Sequence, residues 1–167
     1  MNIKTSHRFP VDSKTFWEKI YFDREYNETL YRDCIGVKSY EIMNMEEDGE
    51  KISRKVRVVP QQKAPGVIQK LISGEFSYVE EGTFQKKEGI YRFKIVPSIK
   101  ADKITINGMV TAKDEGEKSV LRTIDLELKA DIFAVGGQIE KFVGSEIQKG
   151  YEESYKFTLD WIQKKGL

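Results

Sequence analysis

The sequence predicts an α+β domain in which a curved antiparallel sheet of about seven strands wraps around one long C-terminal helix, with two short helices after the first strand. Two patterns carry that prediction. Within Phe133 to Lys165, apolar or aromatic residues fall at Ile139, Phe142, Val143, Ile147, Tyr151, Tyr155, Leu159 and Ile162, the three-to-four spacing of one amphipathic helix. At ~1.5 Å per residue such a helix runs roughly 40 Å, enough to cross a small sheet. Upstream, apolar residues mostly alternate, with turn residues between the segments. A chain of 167 residues is most simply one domain, spanning 1–167.

The elements follow in order. Ile3 to Phe9 reads as a strand with Ile3, Thr5 and His7 on one side, ending at Pro10. Asp12 or Ser13 can cap a helix through Phe16, Trp17, Ile20 and Tyr21, because a short side-chain oxygen accepts from the free N–H groups of a first turn. Glu25 to Asp33 is a second short helix burying Tyr26, Leu30 and Tyr31. Val37 to Met45 and Lys51 to Val59 form a hairpin turned by Asp48-Gly49. Pro65 can stand in the first turn of a two-turn helix whose apolar edge is Val67, Ile68, Leu71 and Ile72. Strands resume at Glu75 to Lys86 and from Ile90, where Pro97 suggests an edge or bulge. Lys103 to Lys113 is one strand with a bend at Gly108. The final strand is clearest: Val120, Ile124, Leu126, Leu128, Ala130 and Ile132 share one parity. Small residues at Gly144, Ser145, Gly150 and Ser154 on the terminal helix imply close approach or gaps beside it.

Composition excludes several classes. The chain holds 28 basic and 27 acidic residues, a formal net charge of +1 with both signs interspersed, so nothing in its charge points to nucleic acid. No stretch approaches the ~20 apolar residues of a membrane span or has the core of a signal peptide, so a cytoplasmic protein is expected. Cys34 is the only cysteine, which rules out an intramolecular disulfide and leaves little from which to build a metal site. No cofactor and no metal are expected.

The order of elements, closing in DLELKADIFAVGGQIEKFVGSEIQKGYEESYKFTLDWI, resembles the helix-grip fold of the START-like (SRPBCC) superfamily. More narrowly it is similar to an uncharacterised bacterial family that joins the last strand to the terminal helix through Gly-Gly-x-Ile-Glu, here Gly136 to Glu140. The resemblance covers nearly the whole chain and implies an apolar cavity under the long helix, with loop 60–74 placed to gate it. It names no ligand, because the superfamily includes binders of lipids, sterols, polyketides and hormones, and cyclising enzymes.

The residues expected to meet a ligand are Val67, Ile68, Leu71, Ile72, Phe76, Tyr78, Tyr91, Phe93, Phe142, Val143, Ile147 and Tyr151. No catalytic set is legible. His7 is the only histidine and lacks a nucleophile motif; Cys34 reads as a small buried hydrophobe. Glu80 and Glu81 read as a solvent-facing pair at a bulge before Gly82, and Gly136-Gly137 as close packing of helix on strand. Arg54 and Arg122 share parity with apolar neighbours; turned inward they would suit a carboxylate or phosphate, and at a sheet edge they would reach solvent. Three functions remain open. The first is non-enzymatic binding or transport of a hydrophobic small molecule or lipid. The second is a polyketide-cyclase-like enzyme using groups such as Glu80, Tyr78 and Tyr91. The third is a membrane or protein interaction module, with transient membrane contact through an exposed 60–74 loop.

Overall fold

The computed structural model describes residues 1–61, 64–72 and 74–167, and Val67 by its backbone alone. Its strands are β1 (Asn2–Phe9), β2 (Ser39–Glu47), β3 (Lys51–Val59), β4 (Tyr78–Gln85), β5 (Ile90–Pro97), β6 (Ile104–Asp114) and β7 (Val120–Ala130). They form one antiparallel sheet in the order β1-β7-β6-β5-β4-β3-β2. From β2 onward each strand pairs with the next, so only the first connection is long: the chain must travel from the β1 edge to the β2 edge. Two helical pieces make that crossing. Helix α1 (Ser13–Phe16) runs into a π-helical turn (Trp17–Tyr21), and α2 (Arg24–Thr29) into a second (Leu30–Ile35). Both start on an aspartate: Asp12 accepts from the Thr15 amide and Asp23 from the Tyr26 amide, each at 2.7 Å. Phe16, Trp17, Ile20, Phe22, Tyr26 and Leu30 are thereby buried on the sheet's inner side.

Short helix α3 (Gly66–Gln69) packs by Ile68 on Ala130 and Ile139, with Leu71, Ile72, Ile132, Val135, Phe142 and Val143 around them. Helix α4 (Gly136–Lys165) lies mainly against β1, β7 and the turn Leu30–Ile35. Its C-terminal half is anchored by Thr158, Trp161 and Ile162, and the Tyr26 hydroxyl meets Thr158 Oγ1 at 2.6 Å.

Several expectations need correction. The terminal helix begins at Gly136 rather than Phe133, which is 99% exposed in the preceding turn, and Ala134 there has φ 63°. Helix α3 is a single turn with Pro65 before it, not two turns with Pro65 inside. Strand β4 begins at Tyr78, leaving Phe76 outside the ladder. Pro97 ends a central strand; β5 pairs with β6 only as far as Ile95, so its missing N–H breaks no bond on that side. Gly108 sits inside continuous β6 between Phe93 and Leu126, and a Cβ there would lie 2.1 Å from the Phe93 ring. No gap lies beside Gly144, where Met1 and, on β1, Ile3 fill the space, whereas a Cβ at Gly150 would touch nothing.

Candidate functional site

Strand parity carries charged groups onto the inner face. On β3 the inward row is Ile52, Arg54, Val56 and Val58, on β4 it is Tyr78, Glu80, Gly82 and Phe84, and on β5 it begins with Tyr91 and Phe93. Register sets Arg54 opposite Gly82 and Gly82 opposite Phe93. Because Gly82 has no side chain, the Tyr91 ring lies across it; a Cβ there would fall 2.3 Å from Tyr91 Cζ and the phenol oxygen. That lets the Tyr91 hydroxyl donate to Glu80 Oε1 at 2.8 Å, while Arg54 Nη2 donates to the same oxygen at 2.9 Å. Arg54 Nη1 donates to the Tyr21 carbonyl at 3.1 Å, and its guanidinium stands 5.1–5.4 Å from the rings of Tyr21, Tyr91 and Phe22. Burial works against the Arg54 charge, but Glu80 and the nearby tyrosines raise its pKa well above the usual arginine value. Glu80 therefore points inward, correcting the expected solvent-facing pair; only Glu81 faces out, to Lys55 and Lys94.

Glu80 Oε2 makes no hydrogen bond among the described residues, and it is not enclosed. The same holds for the hydroxyls of Tyr21, Tyr31, Tyr40, Tyr78 and Tyr151, which come from the two crossing helices, β2, β4 and α4 and lie within electrostatic reach of this carboxylate. Burial, followed in most cases by the Glu80 charge, raises each phenol above its ordinary pKa, Tyr40 to about 12. At neutral pH these groups are un-ionised phenols, able both to donate and to accept hydrogen bonds.

A second polar cluster lies where α4 meets β1 and β7. Arg122 Nη2 donates to His7 Nδ1 at 2.7 Å, and Nη1 to Ser154 Oγ at 3.4 Å, and the guanidinium stands 5.0 Å from the Phe9 ring and 5.9 Å from the Tyr151 ring. Arginine cannot accept, so His7 Nδ1 is the acceptor and Nε2–H donates to Glu152 at 2.9 Å. His7 stacks on Tyr155 at 4.5 Å, and burial followed by the Arg122 charge lowers its pKa, leaving it neutral. The imidazole relays the charge of Glu152 to a guanidinium only 5% exposed. Arg54 and Arg122 are thus inward and bonded within the protein, neither at an edge.

The residues expected to meet a ligand divide into three groups. Ile68 is 7% exposed and Leu71 and Ile72 half-buried, all in the cluster between α3 and the start of α4. The Val67 side chain lies outside the described residues. Phe76, Tyr78, Phe142, Val143, Ile147 and Tyr151 are half-buried although the last five face the interior. Tyr91 and Phe93 are buried in the sheet's own core, Tyr91 at 0% exposure, so they form the floor under the Glu80 anchor. Arg54, Glu80, Tyr21, Tyr31 and Tyr40 were not among the expected set. For Arg54 and Glu80 the available signal was parity with Ile52, Val56, Tyr78 and Phe84.

At the strand-to-helix junction, a Cβ on Gly136 would lie 2.2 Å from the Ala130 carbonyl oxygen, Ile139 is buried, and Glu140 Oε1 accepts from the Ala130 amide at 2.9 Å. Gly136 to Glu140 is accordingly a packing device, as expected of the glycine pair.

A seven-stranded antiparallel sheet gripping a long C-terminal helix, with two short helices after the first strand, is the helix-grip fold of START-like proteins. The sequence belongs to the family described as "Protein of unknown function (DUF2505)", whose model matches residues 4–162. No curated protein matches it. Among solved structures it is similar to TTHA0849 from Thermus thermophilus, at 18% identity and TM-score 0.68 with 100% of both chains covered. It is also similar to the Zhui aromatase/cyclase from Streptomyces sp. R1128, at 9% identity and TM-score 0.65, covering 100% of this chain and 96% of that one. A START superfamily protein from Mycobacterium smegmatis matches at 11% identity and TM-score 0.62, covering 96% of this chain and 98% of that one. At such identities the likeness is one of fold.

Proposed function

We propose that this protein binds or carries a hydrophobic small molecule or lipid, without transforming it, in a chamber between the inner face of the sheet and α4. The observation that carries this reading is a set of tyrosine hydroxyls and one oxygen of Glu80, on half-buried side chains, that are neither bonded among the described residues nor enclosed. Open polar tips of this kind can be paired by water or by a ligand, and a ligand that excludes the water must supply the missing partner or leave a cost of about 1–3 kcal/mol for each group. In this reading the wall is aromatic and aliphatic, formed by Phe76, Phe142, Val143, Ile147 and Tyr151, all half-buried. The similarity to a START superfamily protein adds support.

In this reading α3 with Leu71 and Ile72 is the lid. Burial of Ile68 favours a lid over a docking surface, which would present that side chain to its partner. The cyclase-like alternative draws on the inward Glu80 and on the similarity to an aromatase/cyclase. Burial makes the Tyr78 and Tyr151 phenols weaker acids than usual, and Arg54 and Tyr91 already hold one Glu80 oxygen, which favours binding over proton transfer. The experiment is native mass spectrometry of the protein purified from its own host, paired with solvent extraction. The expected result is a bound apolar compound that Ile68→Glu releases; a mass equal to the bare chain, with no uptake of lipid or apolar probe, defeats the reading.

A further inference from the structure

The chamber reading leaves the chemical class of ligand undecided, and the anchor at its centre narrows it. Arg54 and Glu80 neutralise one another at 2.9 Å, and both Arg54 Nη atoms are committed, to Glu80 and to the Tyr21 carbonyl. Arg54 Nε is enclosed without a partner among the described residues. Each Nη keeps a second hydrogen, but the Arg54 side chain is 8% exposed against 15% for Glu80, and the open atom of the pair is Glu80 Oε2, so an acidic head group would meet a like charge there. Arg122 does not change this, because it is only 5% exposed, near the rings of Phe9 and Tyr151, and coupled through His7 to Glu152. An ammonium head group fares no better: it would lose its water to reach a pair whose charges already cancel. What remains open is an acceptor, Glu80 Oε2, among hydroxyls that can both donate and accept.

We propose, resting on the chamber reading above, that the ligand is an uncharged hydrophobic molecule carrying a hydroxyl group, an alcohol or a phenol. Its O–H donates to Glu80 Oε2, and its oxygen accepts from a neighbouring tyrosine such as Tyr78 or Tyr151. A hydroxyl answers both needs with one atom, and the bond to an ionised oxygen in a desolvated site is of the stronger, charge-assisted kind.

The test is a fluorescence titration at pH 7 with four probes that share one ring system: naphthalene, 2-naphthol, 2-naphthoate and 2-naphthylmethylammonium. The expected result is that 2-naphthol binds about tenfold more tightly than each of the others, the effect of one charge-assisted hydrogen bond. In the paired variant Arg54→Met with Glu80→Met, which leaves no stranded charge, naphthalene should still bind and the advantage of 2-naphthol should vanish. Equal binding of naphthalene and 2-naphthol by the unaltered protein, or tighter binding of either ion, overturns the head-group assignment while leaving the chamber intact. Binding of none of the four overturns the chamber itself.

Discussion

Arg54 and Glu80 show how a single pairing can decide whether a buried charge is tolerable. With side chains 8% and 15% exposed, each is held mainly by the other. Removing one partner strands the other: Glu80→Ala should destabilise the fold by roughly 3–5 kcal/mol, and the paired Arg54→Met with Glu80→Met by distinctly less, as urea unfolding would register. His7 gives a second residue-scale expectation. Its folded pKa is lowered from 6.5 by burial and by Arg122, so below that value the unfolded chain binds more protons than the folded one. Its contribution is complete above pH 6.5 and is lost as pH falls through the folded pKa. The melting temperature should therefore drop on acidification below pH 6.5, and His7→Gln should flatten that part of the profile.

Among the elements, the β7–α4 junction is the most constrained. Gly136→Ala places a methyl against the Ala130 carbonyl and should cost about 1–3 kcal/mol by forcing the helix start off the strand. Conversely, Gly150→Ala meets open space and replaces a poor helix former, so it should stabilise by several tenths of a kcal/mol or more in the same urea assay. Helix α3 has the opposite character: one turn, held by Ile68, Leu71 and Ile72 on the α4 start. Its amides should exchange with deuterium far faster than those of β6 and β7, and bound ligand should slow them. Parity in β6 and β7 and spacing in α4 were legible because one face of each is apolar and the other wet. The length of α3, the inward turn of Glu80 and the filling beside Gly144 were not, because each depends on an element distant in sequence.

At the scale of the whole molecule, the fold holds polar tips without partners among the described residues, and anything that binds them favours the folded state. Saturating an apolar ligand at about a hundred times its dissociation constant should add about 2.7 kcal/mol of stability, visible as a raised melting temperature; delipidated protein should melt lower than protein taken directly from its host. Among the described residues no helix is long and apolar enough to cross a membrane. The sequence alone determined the sheet, its hairpin turns and the long terminal helix, since local periodicity and turn chemistry suffice for these. Only tertiary structure decided that Arg54 would meet Glu80, that Tyr91 would lie across Gly82, and that tyrosines from both crossing helices, three strands and α4 would come within electrostatic reach of one carboxylate. Those meetings are set by strand register and by the path of the crossing helices, and neither is written in any short stretch of chain.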